Sequence, residues 1–367
     1  MPILFAGGED LDYTTYLGGA SSFSWSTSAN AFRSGYARGA TSLFIPGTTP
    51  DTTKYAVISF AASSNFWATF RMNYYAFGNG NTGACRPLKF FDSSGVERIR
   101  VQLSAAFVGP NDTFVVQKVN AAGTATTLGT TSTGRYGSAI VTNSGAPILA
   151  VPDKMDVFIN YGVSGQIQIY NTTPVGTILV YDSGTVDTTT DGNTTLAQMG
   201  LGGVATSVNG NVVTYSEIII STTDTRTMSL VTQAATANGN THNWTAGTAA
   251  NISAASFATG DASPNYSQTA AQIQQYTITP AIPTGNFSVV AMVHKARVLA
   301  GASPPTKFDF MVRTAATDFS SSDFTPTGMW ATYQNIWAVI PNTTAAWATT
   351  DFPASSASFN YGLKSVT

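Results

Sequence analysis

The chain of 367 residues carries 17 basic and 19 acidic residues, a net charge of −2, with only 10% charged against 43% hydrophobic residues. That much apolar material excludes intrinsic disorder, and the balanced, scattered charge excludes an electrostatic footprint for nucleic acid or anionic lipid. No apolar run of about 18 residues occurs, so no membrane insertion is expected.

Two domains are expected from the length. The opening stretch, Met1 to Asp10, lacks the basic region of a signal peptide, and none is expected. Phe66, Ala68 and Phe70 alternate with Trp67, which predicts a strand with Trp67 on the face opposite the phenylalanines. Gly78-Asn79-Gly80-Asn81-Thr82-Gly83 matches a dinucleotide-binding pattern literally, but Pro87 and another strand follow where a helix is required, so a hairpin turn is expected. Cys85 is the single cysteine, which rules out an internal disulfide and a cysteine-based zinc site and suits folding in a reducing cytoplasm. Ile99, Val101 and Leu103 alternate with Arg98, Arg100 and Gln102, a face that reads as solvated. Ile167 and Ile169 alternate with Gln166 and Gln168. The strand Tyr215 to Ile220 ends a first domain, 1–222. The small, polar stretch 223–260 reads as a connector lying against one or both domains, and Phe308, Phe310 and Val312 belong to a smaller domain, 261–367. With turn signals at Asn79-Gly80, Ser94-Gly95, Asp191-Gly192 and Asn209-Gly210, the prediction is all-β: two antiparallel, jelly-roll-like β-sandwiches.

Catalytic templates find little purchase. Glycoside hydrolysis needs two carboxylates across the scissile bond, yet the glutamates are Glu9, Glu97 and Glu217, far apart in sequence. His242 and His294 accompany no nucleophile elbow and read as a surface and a strand histidine. The chain is therefore expected not to be an enzyme, with no catalytic, cofactor or metal residues. A calcium ion is the one cofactor considered, because Asp182, Asp187 and Asp191 crowd one loop region and Asp10 and Asp12 another, though without EF-hand spacing. Trp25, Trp67, Tyr74 and Tyr75 are the candidate glycan-stacking or interface aromatics. Asp224 and Arg226, two apart on extended chain and so facing the same way, are candidates for pinning the connector to the sandwich.

Three stretches of the first domain, Leu88 to Gly95, Asp156 to Tyr170, and Tyr215 to Ile220 followed by Asp224-Thr225-Arg226, resemble the concanavalin A-like or laminin-G-like domains of tailed-bacteriophage virion proteins. In the last hundred residues, Tyr333 to Trp337 followed by Pro341-Asn342-Thr343 and Trp347 is similar to their second module. The resemblance implies a structural head or tail component, a decoration or fibre protein made in the host cytoplasm and located on the virion. Its partners would be other capsid or tail proteins and further copies of itself, with a trimer as the first expectation. A receptor-binding lectin contacting a host surface glycan is the alternative, and a glycan hydrolase a more distant one.

Overall fold

Period-two alternation decides which side chains meet. In the computed structural model the described residues are 3–7, 17–18, 43–47, 55–76, 86–103, 113–131, 153–173, 176–202, 211–231, 233, 235–252, 264–278, 288–352 and 358–367. The chain divides into two compact units, Met1–Leu230 and Val231–Thr367. The described elements are strands and short 3₁₀ turns, so the all-β architecture is observed.

In the first unit the strands are β1 (Ile3–Gly7), β2 (Leu17–Gly18), β3 (Leu43–Gly47), β4 (Tyr55–Ser63), β5 (Asn65–Ala76), β6 (Leu88–Phe91) and β7 (Glu97–Leu103). They continue as β8 (Phe114–Val119), β9 (Ala125–Thr130), β10 (Asp153–Asn160), β11 (Gln166–Thr173), β12 (Gly176–Asp182), β13 (Leu196–Leu201) and β14 (Asn211–Ser221). One sheet runs β1-β14-β5-β10-β11-β12, with β3 also paired to β14; the second runs β2-β4-β13-β6-β7-β8-β9. Phe66, Phe70, Val157, Ile167 and Ile169 from the first sheet meet Ile58, Phe90, Ile99, Val116 and Met199 from the second in one buried cluster. Burying each such side chain contributes about 1.5–3 kcal/mol, so this sandwich needs no disulfide.

One irregularity stands out in the first sheet. Where β14 crosses β5, the register shifts between Ser216 and Ile219. Glu217 takes a φ of 49°, a left-handed conformation unusual for a residue with a Cβ. The resulting bulge sets its carboxylate 2.9 Å from Arg71 Nε, with both side chains largely buried.

The second unit holds β15 (Ala235–His242), β16 (Ile273–Ile278), β17 (Met292–Val298), β18 (Lys307–Thr314), β19 (Thr317–Ser320), β20 (Ala331–Trp337) and β21 (Phe359–Val366). Five form the sheet β15-β16-β21-β18-β19, and β17 pairs with β20. Ile278, Val312, Trp347 and Phe359 form its core, with Met292 and Trp337 packed against them. The stretch expected as a connector, 223–260, is divided: its early residues belong to the first unit, whereas β15 is hydrogen-bonded to β16 of the second. The sequence hid this strand because Thr-Ala-Asn-Gly-Asn-Thr has no alternating apolar residues.

Candidate functional site

The outer face of the first sheet carries Trp67 on β5, Phe158 directly opposite on β10, and Tyr170 on β11. Their rings lie 5.1 Å and 5.8 Å from that of Trp67. As expected, Phe66, Ala68 and Phe70 point inward while Trp67 points outward. The Arg226 guanidinium covers this strip, 5.1 Å above the Trp67 ring and 4.6 Å above Tyr170. It also grips the Asp224 carboxylate, through Nε at 2.9 Å and Nη2 at 2.6 Å from Oδ2. Asp224 and Arg226 thus fasten the segment after β14 to its own sheet. Arg226→Ala is expected to cost the first unit about 1 kcal/mol, mostly from the lost cation–ring contacts, read as a shift of the urea midpoint.

Beneath Arg226 the chain is held more deeply. Lys154 Nζ donates to the carbonyls of Thr225 and Arg226, each at 2.8 Å, and lies 3.4 Å from Asp156 Oδ1. The hydroxyls of Thr69 and Thr225, 2.6 Å apart, converge on the same carboxylate oxygen. Farther along this face Gln166 and Gln168 both donate to Asp182 at 2.8 Å. Much of this surface is satisfied internally and roofed by Arg226, which leaves little on offer to a ligand.

The outer face of the second sheet is different. Cross-strand pairing sets Lys89 of β6 opposite Arg100 of β7, and Arg100 opposite Gln117 of β8. Leu88, Phe90, Ile99 and Val101 take the inner face, so Lys89 and Arg100 must point outward. Glu97 sits between them, ion-paired to Arg100 and 3.5 Å from Lys89 Nζ. Arg86 Nε donates to Gln102 Oε1 at 3.1 Å, and the side-chain oxygen of Gln117 is buried with no hydrogen-bond partner among the described residues. Burial and the neighbouring Arg100 both lower the Arg86 pKa. Burial, opposed by Glu97 and assisted by Arg86 and Arg100, pulls Lys89 down to about 8.

Arg98 and Arg100 therefore do not lie on a solvated face, as their alternation suggested. Both are under 9% exposed and Lys89 is 2% exposed. Alternation identifies the outward face but does not reveal what covers it. Arg98 serves the architecture: its guanidinium bridges Asp92 at 2.8 Å and Asp191 at 2.6 Å, tying the β6–β7 turn to a distant loop.

The other candidates separate. Asp182, Asp187 and Asp191 do not converge: they bind Gln166 and Gln168, Lys118 and Thr189, and Arg98 respectively. Among the described residues no group of three metal-ligating side chains forms. Asp10, Asp12, Trp25 and the turn Gly78 to Gly83 lie outside the described residues, and only the backbone of Tyr74 and Tyr75 is described, paired with β14. His242 ends β15 and is exposed, with Nδ1 3.3 Å from the Gly239 carbonyl oxygen. His294 is buried between the rings of Phe310 and Tyr361, and its Nδ1 has no hydrogen-bond partner among the described residues.

No family model and no curated protein matches this chain. Among solved structures, an endo-β-1,4-glucuronan lyase from the fungus Trichoderma reesei is similar at 13% identity and a TM-score of 0.39, covering 60% of this chain and 95% of that one. The alginate lyase Aly36B is similar at 13% identity and a TM-score of 0.36, covering 62% and 98%. The alginate lyase from Klebsiella pneumoniae follows at 6% identity and 0.32, covering 52% and 84%. With polysaccharide lyases as the similar structures, the expectation of a non-catalytic virion component, not an enzyme, is withdrawn. Its physical premise was also too narrow. Paired carboxylates and nucleophilic triads are the tools of hydrolysis, whereas an elimination needs a base set among cations. At these identities the likeness concerns the fold, and the case for an activity rests on the side chains.

Proposed function

We propose that the first unit binds an acidic polysaccharide on the outer face of its second sheet and cleaves it by elimination. The observation that carries this reading is the row Lys89–Arg100–Gln117 with Arg86 beside it: among the described residues, three cations gather around the single carboxylate of Glu97. Such a row favours anionic ligands, and a uronate offers a carboxylate on each sugar ring. Cations at that carboxylate stabilise the negative charge that builds when the adjacent carbon loses its proton.

Lys89 is suited to take the proton, because a pKa of about 8 leaves part of its amine neutral near pH 7. The C–H electron pair becomes a carbon–carbon double bond, the bond to the glycosidic oxygen breaks, and the departing oxygen takes up a proton that the Lys89 ammonium can return. The uronans degraded by the similar enzymes, alginate and glucuronan, are the first substrates to try.

Incubation with each polymer should release products with the ultraviolet absorbance of an unsaturated uronate, at a rate rising with pH toward about 8 as Lys89 loses its proton. Lys89→Met should abolish turnover while retaining binding, and Arg100→Gln should weaken binding of uronate oligomers by about tenfold or more. Absence of both product and binding with every uronate polymer tried would sink the proposal.

We also propose, on the sequence resemblance alone, that the chain is carried on a tailed-phage particle, where this face would meet a host surface glycan. Antibody labelling of purified particles in the electron microscope tests that placement.

A further inference from the structure

The basic row of the second sheet owes its anion to an irregular strand. In the β6–β7 pair the register runs Leu88↔Val101, Lys89↔Arg100, Phe90↔Ile99 and then shifts, so that Phe91 faces Glu97 instead of Arg98. In a regular strand Glu97 would share the inner face with Ile99 and Val101. The extra residue turns it to the outer face, where its two carboxylate oxygens meet Arg100 Nε and Lys89 Nζ. The residues on either side of it are fastened separately. Asp92 Oδ1 accepts the N–H groups of Ser94 and Val96, at 2.9 and 3.0 Å, which fixes the turn into β7, and Arg98 bridges Asp92 and Asp191. A braced segment thus delivers Glu97 to the cations, and its side chain is only 17% exposed there. Bulges that re-aim one side chain are common beside active sites.

We propose that Glu97 is a positioning residue for the elimination, holding the Lys89 amine beside Arg100 and keeping it basic enough to take the proton; this rests on the reading of the same face as a uronate lyase site. Burial disfavours the Lys89 ammonium, and Arg86 and Arg100 add repulsion to it. Glu97 opposes both, through its charge and through a hydrogen bond. The strands on either side bring no charge of their own to this row: β13 sets Gly200 opposite Lys89 and Gln198 opposite Phe91, and β8 sets Gln117 opposite Arg100. Removing the Glu97 charge while keeping its shape therefore has two effects of opposite sign. More of the Lys89 amine is neutral at a given pH, but that amine is a weaker base and draws the proton from the sugar carbon onto its lone pair more slowly.

The experiment uses the full chain carrying isotope-labelled lysine, in which the Lys89 signal is the one missing from Lys89→Met. Followed by NMR against pH, that signal should titrate near pH 8 in the unsubstituted chain. In Glu97→Gln the midpoint should fall by at least about one pH unit, with Glu97→Asp between the two. Release of unsaturated uronate from alginate or glucuronan should follow: in Glu97→Gln its rise with pH moves down by the same amount, while its plateau falls. A purely structural role would lower the rate equally at every pH. A folded Glu97→Gln whose Lys89 midpoint has not moved overturns the proposal, and if that variant does not fold, an unmoved midpoint in Glu97→Asp does so. Turnover with an unmoved pH profile fails the role of Glu97 alone. A chain whose Lys89 titrates as expected but which turns over no uronate polymer fails the lyase reading, and the role of Glu97 with it.

Discussion

Asp156→Ala is expected to destabilise the first unit by about 3–5 kcal/mol, the usual cost of stripping the partner from a buried charge. Asp156 is fully buried on the outer face of β10, and Lys154 beside it is 4% exposed. Without the carboxylate, the Lys154 ammonium keeps, among the described residues, the two carbonyls of Thr225 and Arg226, and the hydroxyls of Thr69 and Thr225 lose their shared acceptor. Burial already lowers the pKa of Lys154 even with Asp156 present. The double variant Lys154→Met, Asp156→Leu should recover much of the loss, because an apolar pair of similar volume avoids the desolvation cost. Urea titrations of the two single variants and the double variant give the coupling directly. Additive losses would mean that the two residues act independently and that the network is incidental to stability.

Acidification is expected to weaken the second unit well above the pH at which ordinary carboxylates titrate. His294 is 4% exposed, and burial pulls its pKa down to about 3. An unfolded histidine takes up its proton near pH 6.5. Between those values the unfolded state binds one proton more than the native state, so stability falls as the pH falls. Each pH unit in this window costs up to about 1.4 kcal/mol, and a change from pH 7 to pH 5 costs about 2 kcal/mol. Asp309, whose pKa burial raises, acts in the opposite sense, gaining stability as it protonates. His294→Leu keeps an apolar side chain between Phe310 and Tyr361 and should flatten the urea midpoint of this unit between pH 7 and pH 5. An unchanged slope in that variant would assign the acid sensitivity to another group.

The sandwich was legible because its inner faces alternate strictly: Phe66, Ala68 and Phe70, then Ile99 and Val101, then Ile167 and Ile169, all buried where the pattern puts them. Strand β15 was not, since it is made of small polar residues and is held by pairing with β16 rather than by an apolar face. The basic row of the second sheet was beyond the sequence for a different reason. Lys89 and Arg100 are eleven residues apart, and only the register Lys89↔Arg100↔Gln117 across three strands makes them neighbours. Glu97 was read as one lone glutamate when it is the anion between two of those cations. Conversely, Asp182, Asp187 and Asp191 are close in sequence yet turn to separate partners, because Asp182 and Asp187 each accept from a backbone N–H of their own turn, whereas Asp191 accepts from the distant Ala121 N–H and from Arg98. Proximity along a β-chain misleads in both directions.

The bulge in β14 ties two positions into a single hereditary unit. Glu217 holds a left-handed backbone that glycine would adopt without strain, yet its carboxylate also answers Arg71 across the sheet. A change that relaxes the backbone deletes the anion, and a change that keeps the anion keeps the strain. Drift at either position alone is therefore penalised, and residues 71 and 217 should persist or be replaced together in any lineage that retains this sheet.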